Sequence, residues 1–225
     1  MQRKYVYQIL FLVILIFAAF KMQPPKTTIY LPLGDSYTIC TGATEKESWP
    51  VLLTNHLLEN KIECKLLDNP ARNGFSTQNL IDNELPLVKK LKPDLVTVLI
   101  GVNDWVRGVS KETFTKNLIF ILDEVQKTIP DKKKVILITI PDFGATPQGK
   151  NYGNGRDIEK GIAEFNAVII AEAKKRKLPL VDIYDLSKAM KDDATLVAVD
   201  GLHPSGKEYA LWEKLILKEA LILLK

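Results

Sequence analysis

A chain of 225 residues, 46% hydrophobic and 26% charged, has the size and composition of one well-filled domain, and no second apolar pattern follows an internal linker. Its formal charge of +4 lies wholly at the front: Arg3, Lys4, Lys21 and Lys26 precede the first acid, Asp35, and beyond them bases and acids balance at 27 each. That balance argues against the one-sided basic face a phosphate backbone demands, so no nucleic-acid partner is expected, and His56 and His203 are too few histidines for an ordinary catalytic zinc, so neither metal nor cofactor is expected.

Tyr5 to Phe20 is apolar except for Gln8, with Arg3 and Lys4 ahead of it and Lys21 behind, the pattern of an N-terminal apolar helix that targets or anchors a chain. As a helix it spans about 24 Å against a hydrocarbon core of about 30 Å, and a snorkelling Lys21 extends its reach. Phe17-Ala18-Ala19-Phe20-Lys21 lacks a small-x-small cleavage pattern, and no cysteine follows it for lipid attachment. Residues 1–26 are therefore expected to be an uncleaved membrane anchor in preference to a cleaved signal segment. Either way the domain, residues 27–225, is expected to be exported to the cell envelope, membrane-anchored or periplasmic/extracellular.

The domain opens with a strand at Ile29–Leu33 that runs into Gly34-Asp35-Ser36. Ser48 introduces a helix at Trp49-Pro50, with Val51, Leu52, Leu57 and Leu58 as its apolar face. His56 lies on this helix among leucines and reads as a packed or surface residue. A second strand is expected at Ile62–Leu67, then Asn73-Gly74-Phe75-Ser76, then a helix from Ser76 that is interrupted or restarted at Pro86. Leu95–Ile100 is a continuous run rich in β-branched residues, the signature of a central parallel strand buried on both faces, and it leads into Gly101-Val102-Asn103-Asp104. A helix over Thr113–Ile129, a strand over Lys134–Ile140, a long loop over Pro141–Arg156, a helix over Asp157–Lys177, a strand over Leu180–Ile183 and a closing helix from Pro204 through Leu224 complete the chain. This alternation predicts an α/β fold: a single-domain three-layer α/β/α sandwich on a five-stranded parallel sheet.

The chemistry-bearing residues fall at strand ends, where open α/β sheets keep their crevices. Ser36 is a candidate nucleophile; Asp200-Gly201-Leu202-His203 could supply base and orienting acid from one turn; the Gly74 amide, the Asn103 side chain and the N–H of Ser36 are suitable donors to an oxyanion. Taken singly, Gly-Asp-Ser also reads as an ordinary turn, and Asp200 to His203 as a helix-capping turn with an incidental histidine. Cys40 and Cys64 permit one disulfide, although two free thiols suit a domain of this size better.

With these four blocks in place, nearly all of the chain after its first 26 or so residues resembles the SGNH hydrolases, also called the GDSL esterase and lipase family. It looks in particular like small bacterial esterases of that family, through Gly34-Asp35-Ser36-Tyr37-Thr38, Ser48-Trp49-Pro50, Ile140-Pro141-Asp142-Phe143-Gly144 with Thr146-Pro147, and Asp200-Gly201-Leu202-His203-Pro204-Ser205-Gly206. The resemblance implies a catalytic triad of Ser36, His203 and Asp200, with an oxyanion hole from Ser36, Gly74 and Asn103. It further implies hydrolysis of short acyl, carbohydrate or lipid esters through an acyl-enzyme. Cys40 stands where the subgroup pattern calls for glycine. Trp105, Phe143 and the 141–156 loop are tentative substrate-binding elements, Trp105 being equally compatible with the core. An acyltransferase that moves the acyl group to a sugar or alcohol, and a noncatalytic envelope recognition domain on the same fold, remain alternatives.

Overall fold

The computed structural model describes residues 27–225, so the expected apolar helix within residues 1–26 lies outside the described residues. Five parallel strands, β1 Thr28–Gly34, β2 Cys64–Leu66, β3 Leu95–Leu99, β4 Val135–Ile138 and β5 Leu180–Val181, form one sheet in the order β2-β1-β3-β4-β5. Helices α1 Ser36–Ile39, α2 Trp49–Glu59, α3 Thr77–Asn83, α4 Leu85–Leu91, α5 Val102–Val106, α6 Lys111–Thr128, α7 Ile158–Arg176, α8 Tyr184–Ser187 and α9 Gly206–Leu224 connect and close it. The α2 and α9 pair covers one face of the sheet, while α3, α4, α6 and α7 pack together on the other, which is the expected three-layer α/β/α sandwich. Among the described residues no helix is long and apolar enough to cross a membrane.

The apolar run at the centre of the sequence becomes the centre of the sheet. All five residues of β3 are buried between β1 and β4, because helices cover both faces of a parallel sheet. Pro32 interrupts no ladder. It follows Tyr30, the last residue of β1 to pair with β2, and by strand alternation its missing N–H falls on the side that β2 has already vacated.

The helices differ from expectation mainly at their ends. Ser110, Asp157 and Ser205 cap α6, α7 and α9 by accepting N–H bonds from Thr113, Lys160 and Glu208. Pro86 sits in the first turn of α4, so the interrupted helix is two helices meeting at Glu84. In α2 the expected apolar face is displaced: Trp49, Pro50, Leu53 and Leu57 are buried, whereas Leu58 is 53% exposed. The cause is Trp49, whose indole N–H donates to the Tyr37 carbonyl at 2.8 Å and sets the rotation of the helix. His56 faces α9, with Nδ1 3.0 Å from Glu213 Oε2. Cys40 and Cys64 are both free thiols. Cys40 adopts the left-handed conformation at φ 61°, ψ 50°, which accounts for the subgroup pattern calling for glycine there.

Candidate active site

The sheet order makes the end of β1 and the end of β3 a switch point: from β1 the chain crosses outward to β2, and from β3 it proceeds the other way to β4 and β5. Ser36 follows β1 and Asn103 follows β3, so the crevice at their carboxyl ends is flanked by both. The β1 exit requires Gly34, because a Cβ there would overlap the Leu99 carbonyl and the Thr38 hydroxyl. The β3 exit requires Gly101, at φ +125°, where a Cβ would lie 2.6 Å from the Phe114 ring.

Ser36 begins the one-turn helix α1. Asp35 caps that turn, its Oδ1 accepting the Tyr37 N–H at 3.0 Å. Ser36 is 6% exposed, and its hydroxyl makes no hydrogen bond with the described residues.

The Asp200–His203 loop is braced on the segment that follows Ser36. A bridge between Val197 and Pro204, with Ala198 N–H donating to the His203 carbonyl at 2.8 Å, closes the loop at its base. A Cβ on Gly42 would lie 2.5 Å from Ala198 Cβ and 3.3 Å from His203 Cβ, so the loop sits directly on the chain six residues past Ser36. The Tyr37 and His203 rings meet edge-on with centroids 5.9 Å apart, and Tyr209 Oη donates to the Thr41 carbonyl at 3.0 Å.

Within the loop both oxygens of Asp200 are engaged. Oδ1 accepts the Leu202 and His203 N–H groups, each at 2.9 Å, and Oδ2 lies 2.6 Å from His203 Nδ1. Partial burial raises the Asp200 carboxyl, but these donors outweigh it and hold the carboxyl below the usual carboxylate range. An ionised Asp200 at Nδ1 places the ring proton there and leaves Nε2 as the basic nitrogen.

The oxyanion candidates converge from two further loops. Asn103 Nδ2 donates to the Phe75 carbonyl at 3.0 Å, which occupies one amide hydrogen and fixes the plane of the other. Gly74 stands at φ +79°, its carbonyl accepting from Arg107 Nη2 at 2.6 Å. The N–H groups of Ser36 and Gly74 have no acceptor among the described residues. Asp104 joins these loops by accepting the Thr77 N–H at 2.8 Å and the Thr77 hydroxyl at 2.5 Å, and the Thr41 hydroxyl donates to Asn73. Motif reading did not single out Asp104, Arg107 or Thr41 as braces, since their partners are 27 or more residues away.

Trp105 and Phe143 are a correction. They are 5% and 1% exposed and pack on each other at 5.8 Å between centroids; the Trp105 ring also fills the space above Gly161 and lies under the Arg156 guanidinium at 4.0 Å. Both are core residues that support the loop rather than side chains presented to a substrate. The 141–156 loop itself borders a cavity of about 890 Å³ lined by Thr146, Lys150, Arg156, Lys188 and others; Ser36, Asp200 and His203 do not line it. The loop touches the Asp200–His203 turn instead through Gln148 N–H, which donates to the Gly201 carbonyl at 2.9 Å. No group of three or more potential metal-ligating side chains occurs among the described residues.

The family model described as GDSL-like lipase/acylhydrolase matches residues 33–211, a span that contains every residue of this constellation. A multidomain esterase of Ruminococcus flavefaciens is 31% identical over 135 residues, 59% of this chain and 16% of that protein, so the chain spans about a sixth of that relative. Esterase TesA of Pseudomonas aeruginosa is 25% identical over 175 residues, covering 78% of this chain and 79% of the relative. The crystal structure of a lipase/acylhydrolase from Enterococcus faecalis superimposes with a TM-score of 0.72 at 25% identity, over 88% of this chain and 98% of that one.

Proposed function

Since this chain belongs to the GDSL-like lipase/acylhydrolase family, we propose that it is a serine esterase that hydrolyses carboxylic esters through Ser36, His203 and Asp200. The observation that carries this function is the 2.6 Å contact of His203 Nδ1 with Asp200, braced beside a Ser36 whose hydroxyl and N–H are both unengaged. His203 Nε2 removes the Ser36 proton as Oγ attacks the ester carbonyl, and Asp200 stabilises the imidazolium that forms. The oxyanion is met by the N–H groups of Ser36 and Gly74 and the second amide hydrogen of Asn103. His203 returns the proton to the leaving alcohol, and a water activated by the same nitrogen releases the acid from the acyl-enzyme. The esterase names of the relatives support an ester as substrate; the same machinery suits short acyl, carbohydrate or lipid esters.

Labelling with a fluorophosphonate tests the mechanism. Ser36 should be modified stoichiometrically, with loss of p-nitrophenyl acetate hydrolysis, and Ser36→Ala and His203→Ala should each lower turnover by several orders of magnitude without adding in combination. Labelling at another serine would overturn the assignment.

The run from Tyr5 to Phe20, with Arg3 and Lys4 ahead of it, supports an outward-facing enzyme held at the membrane by its own N-terminal segment. Mass spectrometry of the protein from cells should then find residue 1 or 2 at its amino terminus, in the membrane fraction. A terminus between residues 20 and 27 would make the segment a cleaved signal.

A further inference from the structure

Beneath the nucleophile lies a carboxyl that the reaction does not use. Glu84 joins α3 to α4, 50 residues from the Gly-Asp-Ser turn, and is fully buried. Its Oε2 accepts the Gly34 N–H at 2.9 Å. The position of that N–H explains why a side chain is needed. Tyr30, Pro32 and Gly34 direct their backbone polar groups to the same side of β1, and β2 reaches only as far as Tyr30. Pro32 has no N–H to satisfy, so the Gly34 N–H is the next donor on that side, beyond the end of β2 and out of water. Glu84 takes the place of the missing strand.

We propose that Glu84 is a positioning residue for the nucleophile, holding the Gly34 N–H and with it the turn that presents Ser36. Gly34 is two residues from Ser36, and on the opposite side the strand around it is held in register with Leu99 of β3. The turn is therefore clamped from both sides, by β3 through the ladder and by Glu84 where no ladder exists. The proposal rests on the serine-esterase function proposed for this site.

The carboxyl works in its neutral form. Burial, offset in part by the Gly34 N–H and reinforced by Asp35, raises Glu84 to about 8; burial chiefly raises Asp35 to about 8 as well. Arg72, Asp104 and Tyr37 are the other titratable side chains near the pair, and the one cation among them, Arg72, is exposed. Asp35 Oδ2 and Glu84 Oε1 are both buried and have no hydrogen-bond donor, so two ionised carboxylates here would repel with nothing between them to offset the charge. A carboxamide of the same length reproduces what Glu84 does, because its oxygen still accepts the Gly34 N–H.

Three variants of the full-length protein, assayed with p-nitrophenyl acetate and labelled with a fluorophosphonate at pH 7, separate positioning from bulk stability. Glu84→Ala should lower kcat about 10- to 100-fold, with KM within about twofold, and slow Ser36 labelling in proportion, the scale expected when a reacting group is displaced by about 1 Å. Glu84→Gln should restore kcat to within about threefold of wild type, whereas Glu84→Asp, which keeps the acid but shortens the reach, should not. If Glu84→Ala fails to fold, the comparison of Gln with Asp decides. Wild-type kcat in Glu84→Asp, or a Glu84→Gln variant as slow as Glu84→Ala, overturns the positioning role while leaving the esterase assignment intact. A wild-type protein that neither hydrolyses the ester nor labels at Ser36 overturns the esterase function and this role with it.

Discussion

Asn103 has two amide hydrogens, and the protein engages one of them through the Phe75 carbonyl at 3.0 Å. In the proposed mechanism the second has work to do only when an oxyanion forms, which separates its contribution to stability from its contribution to rate. Asn103→Ala removes one hydrogen bond of ordinary net worth, about 1 kcal/mol, and should lower the thermal midpoint by about 2–4 °C in a domain of this size. It should lower kcat by about 10² to 10³ with little change in KM, because the lost donor acts in the transition state. Steady-state kinetics beside a melting curve checks both halves. A rise in KM at unchanged kcat would assign Asn103 to substrate binding instead. Its neighbour Arg107 donates to the Gly74 carbonyl at 2.6 Å and braces that loop.

At the scale of elements, what the sequence made legible was whatever depends on local periodicity or on a motif of a few adjacent residues. β3 announces itself by an apolar, β-branched run, and the structure buries every residue of it. Asp200 and His203 are three residues apart, so their contact needs one turn and no tertiary knowledge. The apolar face of α2 was misplaced because a single long-range bond from Trp49 to Tyr37 sets its rotation. The one-turn helices α1 and α5 escape periodicity altogether, being shorter than two turns. Trp105 was open to two readings because an aromatic beside a motif looks alike in sequence whether it faces a cleft or a core; Gly161, 56 positions on, settles the matter by leaving room for its ring. Glu84 was illegible for the same reason. A glutamate between two helical segments is ordinarily solvated, and only the early end of β2 creates the buried N–H that it satisfies.

Across the whole molecule, buried acids outweigh paired ones and set the direction in which stability responds to pH. Burial raises Asp35 and Glu84 to about 8 and lifts Asp104, Asp142, Glu208 and Glu213 above the ordinary carboxylate range. For each of these the folded state binds its proton more tightly than the unfolded chain does. Between the unfolded carboxylate range, about 4, and the folded values near 8, the native state therefore holds more protons, and stability falls as pH rises. The opposite contribution comes from Asp193 lowered to about 2 by Thr195 and Lys207, from Asp200 lowered by its donors despite partial burial, and from Glu47, Glu112 and Glu124 lowered by hydrogen bonds at the surface; it is lost only as pH drops below the ordinary carboxylate range. Thermal midpoints measured from pH 4 to pH 9 should accordingly peak near about pH 5 and decline toward pH 8, levelling off beyond it. Glu84→Gln cannot titrate and should flatten part of that decline. A midpoint that climbed steadily from pH 5 to pH 8 would mean that these carboxyls are ionised in the folded protein, and that the interior beneath Ser36 is far better solvated than its packing allows.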